Sequence, residues 1–196
     1  MKKVALVIVN WNGLDDTLRC LQSIRSMQVN NVVLETIVVD NGSTDKSVSR
    51  IAEEFPEVKI LAFDTNLGFT GGNNAGIKYA MLQGADYVWL LNNDTMVDKD
   101  ALSIVSAFDN PAVGIAGSKI FFAAGHEYHK KRYSVSQKGK VFWYAGGIVD
   151  WDNMYASHRG VDEVDSGQYD AEEQTVFITG CSMMIRRSVI EKIGVL

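Results

Sequence analysis

The chain has 196 residues, of which 46% are apolar and 22% charged, a balance that suits one globular domain with a core of its own. Only 2 prolines and 17 glycines exclude a disordered chain. With 24 acids against 19 bases the net charge is -5, so no broadly basic face draws the chain to nucleic acid.

The N-terminal "MKKVALVIVNWNG" imitates a leader, but its apolar run covers only Val4 to Val9 and no small-residue cleavage site follows. No run approaches the ~18 apolar residues that cross a bilayer. Cys20 and Cys181 are too few for a disulfide framework. Both read as small buried residues in a reducing compartment, which makes the cytoplasm the expected location.

In chain order, "VALVIV" (4–9) is β-branched and short, the pattern of a fully buried strand. Residues 14–28 place Leu14, Leu18, Leu21 and Ile24 at helical spacing, with Asp15 and Asp16 in the favoured first turn. "LETIVVD" (34–40) is a second strand; Ser43 or Thr44 is expected to cap the next helix, which Pro56 stops. "VKILAF" (58–63) is a third strand, followed by a glycine-rich loop from Asp64 to Gly72 and a helix over 73–83. "DYVWLLNND" (86–94) is a fourth strand, a helix near 99–108 follows, and "VGIAGSKIFF" (113–122) ends this half. Beyond it, 126–140 is basic and aperiodic, 141–151 reads as a strand pair, and 161–174 is an acidic loop. Residues 175–187 return to the core, and Ser188 caps a last helix over 188–194.

Strands alternating with helices predict an α/β, Rossmann-like α/β/α sandwich with a mostly parallel central sheet. Ligands of such sheets bind beyond the carboxyl ends of strands. Asn10, Asn12, Asp40, Asn66, Asn92, Asn93 and Asp94 all fall there. No phosphate-binding G-x-x-x-x-G-K-[ST] and no dinucleotide G-x-G-x-x-G is present. Asp40 suits a ribose or a base edge, and equally an Asx-type turn onto its own backbone. Asp94 is the one acid of "NND" and hence the expected ligand of a hard cation, Mn²⁺ or Mg²⁺. The competing reading, a turn into a helix, is better served by Asp98. Trp11, Trp143 and Trp151 suit stacking on a sugar or base, or a role in the core or in anchoring a loop. Arg186 and Arg187 suit a phosphate or a solvated helix start. His126, His129 and His158 lack metal-ligand spacing.

Taken together, "VIVNWNG", "VVDNGSTD", "NLGFTGGNNAGI", "LLNND" and "TGCSMMIRR" resemble the inverting nucleotide-sugar glycosyltransferases of family 2, with the GT-A fold, and most of all their rhamnosyltransferase-like branch. The resemblance implies a nucleotide and donor pocket lined by Val9, Asn10, Asn12, Asp40, Asn66, Gly68, Gly71, Gly72, Asn74, Asn92 and Asn93. It puts Asp94 on the metal and Gly180, Cys181 and Ser182 beside the acceptor. It implies a dTDP- or UDP-sugar donor, a glycan or lipid-linked acceptor, and polysaccharide biosynthesis for the cell envelope. Residues 1–122 would form the nucleotide-binding half and 123–196 the acceptor-side half. The family's general base usually lies in an acidic segment after the last helix, and the chain stops at Leu196. The expectation is therefore a catalytic-domain fragment that binds donor with little turnover, and no base is named. Two other functions compete: a sugar nucleotidyltransferase, for which "NWNG" lacks a basic triphosphate grip, and a non-catalytic nucleotide-sugar-binding module. The basic stretch 126–140 suits a solvated loop, or peripheral contact with a lipid diphosphate or the inner face of a membrane.

Overall fold

The computed structural model describes residues 1–196. Four strands, β1 (Lys2–Asn10), β2 (Val32–Asp40), β3 (Lys59–Ala62) and β4 (Tyr87–Asn92), alternate with helices α1 (Leu14–Arg25), α2 (Ser47–Glu54) and α3 (Gly68–Leu82). A 3-10 helix (Ala101–Asp109) and β5 (Ile115–Gly117) follow. Then come β6 (Ile120–Phe121), β7 (Phe142–Tyr144), β8 (Gly147–Asp150), β9 (Tyr155–His158), β10 (Ser182–Arg186) and α4 (Arg187–Ile193). The main sheet has the order β3-β2-β1-β4-β10-β5. β1 to β4 run parallel and β10 runs antiparallel to β4.

The sheet is a sandwich filling because its strands are apolar on both faces. Val4 to Ile8 are fully buried, and alternate residues face opposite layers. Val4, Leu6 and Ile8 pack with Cys20, Leu21, Ile51 and the 3-10 residues Leu102, Val105 and Phe108. Ala5 and Val7 pack with Ile77 and Ala80 of α3 and Ile190 of α4. No helix is long and apolar enough to cross a membrane.

The chain divides into two compact units, Met1–Ala116 with Gly180–Leu196, and Gly117–Thr179. In the second unit β6 pairs with β7 and β8 with β9, both antiparallel. The two strands expected within 141–151 therefore exist but find other partners. The acidic loop is tied to its own unit: Lys119 pairs with Asp165 and Asp170, and Arg159 with Glu173. Glu127 is 1% exposed and closes the basic stretch, accepting the Gly125 amide at 2.9 Å and the Gly139 amide at 2.8 Å. Burial pushes its carboxyl pKa up, but hydrogen bonds from backbone amides outweigh this and hold it below the usual range.

Several local expectations are corrected. α3 starts at Gly68, so much of the glycine "loop" is helix. α2 starts at Ser47 and α4 at Arg187, neither with a side-chain cap, so Ser43, Thr44 and Ser188 do not serve as caps. The segment after β4 coils as a 3-10 helix. Arg186 donates to the carbonyls of Phe108, Asn110 and Val113, and Arg187 to those of Met81 and Ala85, so both tie down backbone. Trp11 and Trp151 are exposed at 58% and 69%, outside any core. Cys181 is only half-buried, unlike Cys20.

Candidate functional site

Register places the polar residues on one rim. Asn10 lies opposite Asp40, and Val9 lies opposite Asn92, so β2, β1 and β4 end side by side. Two strand spacings, ~10 Å, separate the outer two of these ends. Asp94 follows β4 by two residues and is exposed.

A hydrogen-bonded chain bridges that interval. The Asn93 amide donates to Thr17 Oγ1 at 3.0 Å, and the Thr17 hydroxyl donates to Asn10 Oδ1 at 2.8 Å. Asn10 Nδ2 then donates to Asp40 Oδ2 at 2.8 Å and to Ser43 Oγ at 3.1 Å. The Gly13 amide also donates to Asn10 Oδ1, at 3.3 Å. Asn10 is fully buried with both amide protons and both acceptor directions in use, so it positions neighbours and has no hydrogen bond to spare. Asp40 is 2% exposed, and its Oδ1 accepts the Ser43 amide at 2.9 Å, an Asx-type turn. Each carboxylate oxygen keeps one lone-pair direction.

Asn12 sits at φ 51°, a left-handed conformation that asparagine tolerates. There its side-chain Oδ1 accepts the Thr44 backbone amide at 2.8 Å, while its backbone amide donates to Ser43 Oγ at 2.9 Å. The loops after β1 and β2 are thus laced together. Asn41, passed over in the sequence, is 2% exposed and laces the next pair. Its Nδ2 donates to Asn66 Oδ1 at 2.8 Å and to the Gly68 carbonyl at 3.0 Å, and its Oδ1 accepts the Leu67 amide. Thr17 was also passed over, although a polar residue inside the apolar stripe of α1 is a legible signal.

The glycines serve close packing. A Cβ on Gly72 would lie 2.8 Å from Val9 Cγ1, and one on Gly76 would overlap Val7 Cγ1. Gly71 similarly faces Leu67 Cβ, while Gly68 needs its φ of +75° at the start of α3. Asn74 pairs both ways with the backbone of Leu196, at 2.7 and 2.9 Å. Beside β4, the Asn92 amide donates to the Cys181 carbonyl at 3.0 Å. Gly180 faces the Phe69 ring, and the buried Ser182 hydroxyl accepts Trp89 Nε1 at 3.0 Å.

Burial pushes the Cys20 thiol up to about 12 and the Cys181 thiol up to about 11, with the Asp94 charge adding to both. Neither thiol is a nucleophile at neutral pH. No three His, Cys, Asp or Glu side chains gather anywhere as a metal cage. One exposed carboxylate nevertheless suits a hard cation that fills its shell with water and phosphate oxygens.

The family model for glycosyl transferase family 2 matches residues 5–194. The succinoglycan biosynthesis protein ExoO of Rhizobium meliloti is 31% identical over 100 residues, 50% of this chain and 27% of that protein. The low-salt glycan biosynthesis hexosyltransferase Agl10 of Haloferax volcanii is 24% identical over 195 residues, 98% of this chain and 55% of its own length. The chain thus spans from about a quarter to about half of these relatives. The mannosyltransferase PcManGT of Pyrobaculum calidifontis, solved with GDP-Man and Mn2+, superposes with a TM-score of 0.56 at 17% identity over 98% of this chain and 46% of that one. The fold is that of the GT-A glycosyltransferases.

Proposed function

The chain belongs to glycosyl transferase family 2, and from that premise we propose that it moves a sugar from a nucleoside-diphosphate donor onto a hydroxyl of a glycan or lipid-linked acceptor, with inversion and with help from a divalent cation. The observation that carries this reading is the chain Asn93–Thr17–Asn10–Asp40, which ties the cation-side loop to the nucleoside-side carboxylate across three strand ends. The carbohydrate-assembly names of the two relatives support the reaction class. The donor is a dTDP- or UDP-sugar, and the setting is polysaccharide assembly at the cytoplasmic face of a membrane. Within this reading, residues 1–122 serve the donor and residues 123–196 the acceptor.

The side chains divide the work. Asp40 offers its remaining lone pairs to N–H or O–H groups of the nucleoside, while Asn10 and Ser43 fix its orientation. Asn12, Asn41 and Asn66 hold the loops that frame the nucleotide, and Val9 with Gly72 forms its floor. Asn92 and Asn93 set the bend that carries Asp94. Asp94 would hold Mn²⁺ or Mg²⁺, and such an ion would supply neutralisation of charge on the departing diphosphate. Gly180, Cys181 and Ser182 border the acceptor side through backbone and packing, since both thiol and hydroxyl are held back from chemistry. In a single displacement, inversion needs no protein nucleophile, only a proton acceptor for the attacking hydroxyl.

Calorimetric titration with UDP, dTDP and GDP, with and without Mn²⁺, tests this. One nucleotide is expected to bind in a metal-dependent way, and Asp94→Ala is expected to erase that dependence. An Asp94→Ala protein that still responds to Mn²⁺ would remove Asp94 from the metal.

A further inference from the structure

The basic stretch of the second unit is an ordered platform. Glu127 pins both its ends through the Gly125 and Gly139 amides. Tyr133, 8% exposed, pins its middle by donating its hydroxyl to the Asp162 carbonyl at 2.8 Å. Between these anchors Tyr128, His129, Lys130, Lys131 and Arg132 line one surface recess, with Tyr128 77% exposed and Val135 89% exposed further along. Lys130, Lys131, Arg132, Lys138 and Lys140 have no carboxylate within ion-pair distance. Four acids of the same unit pair elsewhere: Asp165 and Asp170 with Lys119, Glu173 with Arg159, and Asp162 with His129. The chain as a whole carries -5, so this concentration of cations stands against the net charge.

We propose that this loop is a docking surface for a membrane bearing anionic phospholipid headgroups, which rests on the reading above only in that a lipid-linked acceptor would lie in that membrane. The charge pattern matches what a negative bilayer surface attracts, with each Lys or Arg near the surface strengthening binding about fivefold. The exposed tyrosine and valine among the cations add the apolar contact that a bilayer interface rewards and a free phosphate does not. Because Glu127 and Tyr133 already hold the loop, little ordering entropy is lost on docking.

Co-sedimentation of the 196-residue chain tests this, using vesicles of phosphatidylcholine alone and vesicles that also contain phosphatidylglycerol. The chain is expected to pellet with the anionic vesicles only and to be released by high salt. Lys130→Gln combined with Lys131→Gln and Arg132→Gln is expected to weaken partitioning about 100-fold. Equal binding to both vesicle types, binding to neither, or an unaffected triple variant would overturn the proposal. So would equally tight binding to polyuridylate, which would make the loop a general polyanion site. UDP titration with Mn²⁺ on the same variant reads the donor site separately. Lost vesicle binding with intact nucleotide binding is the expected pair, and absent nucleotide binding in the parent chain would count against the transferase reading alone.

Discussion

At the scale of single residues, the candidate site depends on side chains whose hydrogen bonds go to other side chains. Thr17 is fully buried and accepts from Asn93 while donating to Asn10. Replacing it with valine keeps the shape but leaves the buried Asn10 amide and the half-buried Asn93 amide each short of a partner, at a cost of ~1–3 kcal/mol. Thr17→Val is expected to lower the urea midpoint accordingly and to weaken metal-dependent nucleotide binding, whereas Thr17→Ser restores both. Equal damage from serine would mean that the methyl group, not the hydroxyl, carries the effect. Thr17 and Asn41 escaped the sequence reading because a motif names residues that face a ligand. Their role is to hold other side chains, and this emerges only when three strand ends are brought together.

At the scale of elements, the four parallel strands were legible because fully buried strands are apolar on both faces, and runs such as "VALVIV" are too short and too β-branched for a buried helix. The start of α3 was not. "NLGFTGG" has the composition of a loop, yet Gly72 and Gly76 are there to let the helix approach β1. Gly76→Ala would push a methyl group into Val7 and is expected to destabilise by ~1–3 kcal/mol in urea unfolding. A neutral result would show that the helix can slide on the sheet. The caps were misplaced for a related reason. Ser43 is of the right type for a helix start but lies four residues before α2, and Asn10, Asn12 and Asp40 claim it instead. The second unit was least legible, since its order comes from scattered pairings such as Glu127 with Gly125 and Gly139, which leave no periodicity.

At the scale of the whole molecule, buried ionisable groups link stability to pH. Cys20 and Cys181 have ordinary values near 9.0, raised in the fold to about 12 and about 11. Between those limits the unfolded chain releases thiol protons that the folded chain keeps. The stability they support is therefore complete below pH ~9 and falls as pH rises toward the folded values. Unfolding free energies measured from pH 8 upward are expected to decline less steeply for Cys20→Ala than for the parent chain. Parallel slopes would mean that the Cys20 thiol is not shielded from water.

β10 and β5 are neighbours in the main sheet, and the chain between them makes up the second unit. The polypeptide leaves the first unit after Ala116, inside β5, and re-enters it at Gly180, two residues before β10. An excursion that departs from one strand and returns to its neighbour in the same sheet interrupts no strand pairing on the way. That makes Gly117–Thr179 an interchangeable cassette: a different segment between β5 and β10 is expected to leave the strand order of the main sheet unchanged.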